Sequence, residues 1–241
     1  MRNLIIIISA VLLFGCTNDE TNQVILPEVI LPEVASKFKV IITEESNTIS
    51  TVEYGLDSDG KVLYANQLFP LQSNTSIFKY DNQGRVTKEI RNNGLYYSVI
   101  WNGNIANLYD NKNQKIADFT YSNNLLTEFK YEIGYPCKYY YDSNDNVIAF
   151  EENNEVKEEY LDFDISVSNP MSLIKSIEIL RLSTEPLSKN FFQTKKVYPY
   201  DGGDYFVPLT YYHYQKTVNA ENKIISVDND QSHYVRKFEY N

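Results

Sequence analysis

Short apolar runs alternate with clusters of turn-forming residues, and residues 78–90 show this unit most clearly. Phe78 and Tyr80 fall on one face of an extended segment, because successive side chains of a strand point to opposite faces. Residues 81–84, Asp-Asn-Gln-Gly, favour a turn, since Asp and Asn bond nearby backbone and Gly tolerates positive φ. A second extended segment begins at Val86 with β-branched residues. Two such runs around a short turn predict a β-hairpin.

The turn clusters recur every 8 to 12 residues through the middle of the chain. This spacing is typical of many short antiparallel strands, whereas amphipathic helices need apolar residues at i, i+3, i+4 and i+7. Several runs are apolar on both faces, and an open sheet of this length would leave unpaired edges. We therefore predict an all-β fold over residues 37–241, an antiparallel up-and-down meander of about 13–15 strands curled towards a barrel. The clusters begin near Asp81, Asn92, Asn102, Asp110, Ser122, Ile133, Asp142 and Glu152.

The regular spacing breaks between residues 166 and 204, where one helical insertion is predicted at about 170–182. Ser168 or Asn169 can serve as the N-cap, and Pro170 suits the first turn. The apolar side chains that share one face, and that we expect to pack on the sheet at one end or on its concave side, are Leu173, Ile174, Ile177 and Leu180. The side chains predicted to face away are Lys175, Glu178 and Arg181.

Residues 1–15 are predicted to be a signal peptide rather than part of the fold. Arg2 precedes an apolar run at 4–14 that is too short for a comfortable membrane span. Gly15-Cys16 resembles the end of a lipobox, which predicts lipidation at Cys16; an ordinary signal peptide with a chance Cys is the alternative. The following Asp19-Glu20 is similar to the surface-export signal of Bacteroidota lipoproteins.

Residues 16–36 are predicted to be the lipidated Cys and an extended tether. The sequence Val-Ile-Leu-Pro-Glu occurs twice in succession, and prolines five residues apart, Pro27 and Pro32, exclude a regular helix or central strand. Docking of these apolar residues on the domain is the alternative. In either case the β domain is predicted to begin at residue 37.

Charge excludes some classes of partner. The net charge is −10, and it becomes −11 when residues 1–15, which carry Arg2 and no acid, are removed. Nucleic acids and anionic lipid surfaces need basic patches, so neither is expected as a partner. Lys88 lies on one face of its strand while Glu89 and Arg91 lie on the other, and a Lys or Arg facing lipid at midplane costs roughly 2–4 kcal/mol. We expect a domain in water, held at a membrane by its lipid.

No motif for catalysis, metal or cofactor binding stands out. The sequence has no Gly-x-Ser-x-Gly elbow, phosphate loop or dinucleotide glycine pattern. His213 and His233 are too few for a zinc site, and the loop that starts at Asp142 lacks the Gly and Glu of a calcium loop. Cys137 is predicted to be a packed thiol. No catalytic residue, metal or cofactor is predicted, although a hydrolase with acids from distant strands stays open.

Aromatic residues are unusually abundant, with 21 Tyr, 12 Phe and one Trp. They can form cross-strand pairs, each worth about 0.2–1 kcal/mol, or a ligand surface, since Tyr combines an apolar ring with a polar tip. The residues that the sequence suggests for a ligand surface are Tyr96, Tyr97, Trp101, Tyr109, Tyr121, Tyr139 and Tyr141.

The segment Tyr80-Asp81-Asn82-Gln83-Gly84-Arg85-Val86 resembles the Tyr-Asp repeat, Tyr-Asp-x-x-Gly-Arg-Leu/Val. The chain from about residue 37 to 241 resembles a family of Bacteroidota lipoproteins of unknown function with a porin-like β-meander, and Ser188-Lys189-Asn190-Phe191 is similar to that family's late helical interruption. The resemblance implies a fold and no reaction.

Together with Cys16, these features predict an outer-membrane lipoprotein, exposed at the cell surface, that binds a glycan or a protein without catalysis. A hydrolase acting on surface polysaccharide and an envelope scaffold are the alternatives.

Overall fold

A computed structural model gives the fold of most of the chain. Predictions for Cys16, the signal peptide, most of the tether and His233 lie outside the described residues. Within the described ranges, no helix is long and apolar enough to span a membrane. The structure describes residues 30–44, 47–69, 73–181, 188–201, 206–231 and 234–241.

Sixteen antiparallel strands of the described chain form a closed barrel, which confirms the predicted all-β meander. Each strand pairs with its neighbour in sequence, except that β13 pairs with β16, and β1 closes the barrel against β18. Two further strands, β14 (Tyr200–Asp201) and β15 (Phe206–Val207), form a separate hairpin. The barrel strands are β1 (Ser36–Glu44), β2 (Asn47–Leu56), β3 (Val62–Leu68), β4 (Ser73–Tyr80), β5 (Val86–Arg91), β6 (Tyr96–Asn102), β7 (Ile105–Tyr109), β8 (Lys115–Ser122), β9 (Leu125–Tyr131), β10 (Pro136–Tyr141), β11 (Val147–Glu152), β12 (Glu155–Ser168), β13 (Asn190–Val197), β16 (Thr210–Val218), β17 (Ile224–Asn229) and β18 (Tyr234–Tyr240).

The expected 13–15 strands are too few. Residues 36–68 contribute three strands although their one recognisable turn cluster in the sequence is at Asp57, so part of the pairing there had no local signal.

Five hairpin turns share one hydrogen-bonding pattern, which explains the repeat in the sequence. In each, the side-chain Oδ1 of the first residue accepts from the backbone N–H groups two and four residues later, over 2.8 to 3.0 Å. The fourth residue has positive φ, which Gly, Asn and Asp tolerate better than other residues. These turns begin at Asp57, Asp81, Asp110, Asp142 and Asn219.

The two ends of the barrel differ in what they carry. Because the strands alternate in direction, the turns at 57–61, 81–85, 142–146 and 219–223 lie at one end, together with the helical insertion. We call this the helix end and the opposite one the far end. Inward-facing residues near the helix end are apolar and fully buried, among them Phe38, Val62, Phe119 and Ile224.

The helical insertion is a 3-10 helix, Pro170–Ile177, followed by one α-helical turn, α1 (Glu178–Arg181). Asn169 is its N-cap, as predicted, and its Oδ1 accepts from the N–H of Met171 over 3.0 Å. With three residues per turn, a 3-10 helix aligns side chains three positions apart. The insertion closes the helix end with buried side chains that include Ile174, Ile177, Ile179 and Leu180.

One side chain of the insertion packs less completely than predicted, and a second is placed differently. Leu173 packs against the core as expected but is only half-buried, because the 3-10 winding aligns Ile174 rather than Leu173 with Ile177. Glu178 was expected to face away, but burial raises the pKa of its carboxyl to about 7. The predicted helix end at Leu182 lies outside the described residues.

The outer wall of the barrel carries paired charges. Lys37 and Glu53 lie 3.1 Å apart, and Lys39 and Glu239 lie 3.3 Å apart, on strands whose alternate residues face the core. A membrane-spanning barrel instead presents a continuous outward apolar band. These pairs place charge on the outward face where β1 meets β2 and β18.

Candidate ligand cleft

Aromatic side chains at the helix end bond back to the preceding hairpin. Four inward rings donate to the backbone carbonyl of a residue 15 to 18 positions earlier, at distances of 2.6 to 2.8 Å. Each of these aromatic residues lies near the helix-end terminus of its strand, and its hydrogen bond joins that strand to the preceding one. The hydroxyl or indole N–H group is therefore engaged in holding the barrel wall together. The pairs are Tyr80 with Val62, Trp101 with Val86, Tyr141 with Leu126 and Tyr240 with Ile224.

Tyr121 departs from this series. It occupies the matching place near the end of β8, but its hydroxyl hydrogen-bonds with Glu178 of α1, whereas no bond to a strand carbonyl occurs within the described part of the chain. Its ring lies 5.2 Å from that of Trp101, at 50°. Burial and the neighbouring carboxylate raise the pKa of Tyr121 well above its usual value. Tyr121 therefore joins the barrel wall to the insertion through a side chain pair.

Trp101, Tyr121 and Glu178 line a cleft of about 630 Å³ at the helix end. Its walls are the turns at 81–85, 103–104 and 123–124 and the end of the 3-10 helix. Such a volume is within the roughly 300–1,000 Å³ of small-molecule sites. The polar groups on its walls include Gln83, Asn104, Asn123, Asn124, Lys175 and Ser176.

Arg85 holds one side of the cleft in a fixed position. Its guanidinium donates to the Asp81 carboxylate, with the nearest contact at 2.7 Å, and to the carbonyl of Gly103 at 3.0 Å. It also lies 4.8 Å from the centre of the Trp101 ring. Burial acts to raise the pKa of Asp81, but the hydrogen bonds from Arg85 outweigh it and lower that pKa. Trp101 is thus held by its indole N–H and by the stacked guanidinium before any ligand arrives.

Glu178 is the one carboxyl group among the described residues that line the cleft. The residue keeps partial exposure towards the cleft, while burial of its carboxyl raises the pKa to about 7. Lys175 and the hydrogen bond from Tyr121 oppose this rise without cancelling it. A carboxyl with such a pKa, in a cleft, is a recognised mark of functional sites.

The other aromatic residues suggested by the sequence are not in the cleft. Tyr139 is buried among Phe129 and Phe150, with ring centres 5.8 and 5.3 Å away. Tyr97 faces inward beneath the guanidinium of Arg91, at 4.6 Å. Tyr141, as described above, bonds to a strand carbonyl.

Tyr96 and Tyr109 lie on the outward face of the wall. The ammonium of Lys88 is 4.2 Å from the ring of Tyr96, and Tyr109 pairs with the outward-facing Ser98. The structure therefore brings Trp101 and Tyr121 together in the cleft, which the other five suggested residues do not line.

Sequence reasoning missed Arg85 and Glu178 as parts of a site. The Gly-Arg of the repeat marked Arg85 as turn chemistry, and only the fold shows that its turn meets α1. The sequence did hold a signal for Glu178. The apolar residues 177, 179 and 180 surround it and do not fit one α-helical face, which indicates that this segment is buried on more than one side.

Cys137 is buried, as predicted. Its Sγ lies 3.6 Å from the carbonyl of Tyr135, and burial raises the pKa of the thiol to about 11. Within the described ranges, no three His, Cys, Asp or Glu residues are grouped so that they could hold a metal ion. The thiol stays protonated and unreactive at neutral pH.

Comparison with solved structures identifies relatives in fold. A porin-like protein from Bacteroides uniformis superposes with a TM-score of 0.54 at 13% sequence identity, covering 86% of this chain and 96% of that one. A porin-like protein from Bacteroides vulgatus gives a TM-score of 0.36 at 10% identity, over 84% and 97% of the two chains. No protein-family model matches the chain, and no curated protein does. The first likeness shows a shared porin-like β-fold.

Proposed function

We propose that this protein is a lipid-anchored envelope protein whose barrel presents a glycan-binding cleft at its helix end. The observation that carries the proposal is the cleft itself, in which the rings of Trp101 and Tyr121 lie 5.2 Å apart among amide side chains. Aromatic rings can stack on sugar faces, and amides can bond sugar hydroxyls. The site binds without catalysis.

The cleft is rigid enough to bind without much reorganisation. Trp101 is fixed by its indole hydrogen bond of 2.8 Å, and Arg85 is fixed by its pair with Asp81. Groups that are already ordered lose less entropy when a ligand arrives. This supports recognition of a weakly binding, polar ligand such as a sugar.

The envelope location rests on the sequence. Lipidation at Cys16 and the acidic Asp19-Glu20 favour an outer-membrane lipoprotein at the cell surface, and residues 16–36 would hold the barrel away from the membrane. The charged outer wall favours a barrel in water, and the five like turns favour a member of a Tyr-Asp repeat family. The fold likeness to porin-like Bacteroides proteins is compatible with this.

A hydrolase is the second candidate, because a carboxyl with a pKa of about 7 suits a general acid. Most glycosidases, however, use two carboxyl groups on either side of the bond that breaks. Glu178 is the one carboxyl that lines the cleft in the described part of the chain, so binding fits better.

The test is a glycan array followed by calorimetry with the bound glycans. Asn124 has φ of 63° in a two-residue turn, so Asn124→Gly removes its amide without straining the backbone. The matched control is Asn154→Gly, at φ of 62° in a similar turn at the far end. We expect Asn124→Gly to weaken binding by at least roughly three-fold, as for the loss of one hydrogen bond, and Asn154→Gly to leave it unchanged.

If both variants bind the glycan equally well, the glycan does not bind in the cleft. Binding to no glycan at all would leave scaffolding as the better explanation, and release of shortened sugars during the assay would favour the hydrolase.

A further inference from the structure

The cleft differs in charge from the rest of the molecule. The chain has a net charge of −10, yet the acidic and basic side chains that line the cleft, Tyr121 apart, are Arg85, Lys175 and Glu178. The charge of Arg85 is balanced by Asp81 at 2.7 Å. What remains in the cleft is one ammonium and one carboxyl group.

Lys175 is the cleft cation that is available to a ligand. It forms no hydrogen bond or ion pair with another described residue, although it acts on Glu178 through space. The other cation, Arg85, already uses two of its nitrogens on one carboxylate oxygen of Asp81. An ammonium on a cleft wall, beside aromatic rings, is a binding group for an anion.

Glu178 would repel an anion only when it is ionised. The groups that face it are Tyr121 from β8, Tyr139 and Tyr141 from β10, and Lys175 from the 3-10 helix. The three tyrosines are neutral at physiological pH, since burial raises the pKa of each. Burial also opposes ionisation of Glu178, whose pKa is about 7, so slightly acidic conditions leave Lys175 as the net charge of the cleft.

We propose that the ligand of the cleft is a glycan bearing a carboxylate, held by Lys175 beside Trp101 and Tyr121, and that protonation of Glu178 admits it. This inference rests on the proposed function. A protonated carboxyl can also donate a hydrogen bond to a ligand carboxylate, whereas two ionised carboxylates at the same place repel. The ligand class is thus an acidic sugar, such as a uronic acid.

The experiment uses an array that carries uronate-, sialate-, sulfate-bearing and neutral glycans, probed at pH 6 and pH 8. We expect the signal to be confined to carboxylated glycans and to be about ten-fold stronger at pH 6, as for the removal of one nearby like charge. Glu178→Gln should bind at pH 8 as the unmodified protein does at pH 6. Lys175→Gln should weaken binding about ten-fold at both values, and Lys175→Arg should retain most of it.

Lys189→Gln is the matched control, because Lys189 is an exposed cation at the same end of the barrel that does not line the cleft. It should bind as the unmodified protein does. Thermal unfolding of each variant verifies that the insertion still packs.

Array signals confined to neutral or sulfated glycans would overturn the inference and leave glycan binding intact. The inference would also be overturned if Lys175→Gln bound carboxylated glycans as well as the unmodified protein does, or if their signal did not change with pH. If no glycan of any kind binds, the proposed function fails together with this inference.

Discussion

The interior of the barrel is filled by different kinds of side chain at its two ends. A barrel of sixteen strands is broad enough to enclose a water-filled channel. At the helix end the interior is filled by apolar side chains, and the insertion closes it with Ile177 fully buried. Towards the far end, buried apolar side chains such as Leu108 are joined by charged inward side chains. Glu89 is fully buried there and accepts from Ser76 at 2.6 Å and from Arg91 at 3.2 Å.

A second inward ion pair strengthens this contrast. Lys195 lies 2.7 Å from Glu158, and Glu158 also accepts a hydrogen bond from Tyr160. Burying a charge is costly unless it is paired and hydrogen-bonded, and each of these carboxylates is. The difference teaches that one end gains stability from packing, while the other tolerates charge inside the barrel by satisfying it locally.

The largest expected effect comes from opening a cavity at the helix end. Ile177→Ala should lower the free energy of unfolding by ~2–5 kcal/mol, because a fully buried side chain would leave a void. Chemical denaturation measures this, and Leu173→Ala is the control, since Leu173 is half-buried and should cost less. Equal losses would mean that the insertion does not close the barrel as the structure has it.

How far the sequence predicted these two ends depends on the range of the interactions. The Asp turns follow from residues at most four positions apart, and so does the cap at Asn169; both were predicted correctly. The face of the insertion was predicted in part: Ile174, Ile177 and Leu180 are buried as expected. The buried Ile179 was missed, because the sequence was interpreted with an α-helical period, whereas Pro170–Ile177 winds as a 3-10 helix. For the same reason Glu178 was misplaced, and Leu173 packs against the core with only partial burial.

The cleft could not be predicted at all. Arg85 and Glu178 are more than 90 residues apart, and only barrel closure and the seating of the insertion bring both to one cavity. Trp101 and Tyr121 were suggested as ligand residues on composition. Sequence alone gave no reason to separate them from Tyr141, whose hydroxyl is used on a neighbouring strand.

The second largest expected effect is a pH dependence of the free energy of unfolding that arises from Glu178 at the helix end. The pKa of Glu178 is about 7 in the folded protein against 4.5 for an ordinary glutamate. Because the folded state holds this proton more tightly, the stabilisation is complete below pH 4.5 and is lost as pH rises through about 7. The loss should amount to about 2–3 kcal/mol.

Urea denaturation between pH 4.5 and pH 8 measures this loss, and Glu178→Gln should remove it. Glu128→Gln, at an exposed outward position of β9, should keep the pH dependence of the unmodified protein. A pH dependence that survives Glu178→Gln would place its origin elsewhere in the barrel.

The smallest expected effect examines the charged interior towards the far end. Ser76→Ala removes the 2.6 Å hydrogen bond to the buried Glu89, and hydrogen bonds to charged groups contribute about 1.5–3 kcal/mol. We expect a loss near the low end, roughly 1.5 kcal/mol, because Arg91 still contacts the same carboxylate. Ser98→Ala, on the outward face of β6, is the control and should change the free energy of unfolding by less than about 0.5 kcal/mol. Denaturation with urea compares the two variants. If Ser76→Ala is no more destabilising than Ser98→Ala, water at the far end must solvate Glu89, and the charged interior would be wet rather than satisfied by its own side chains.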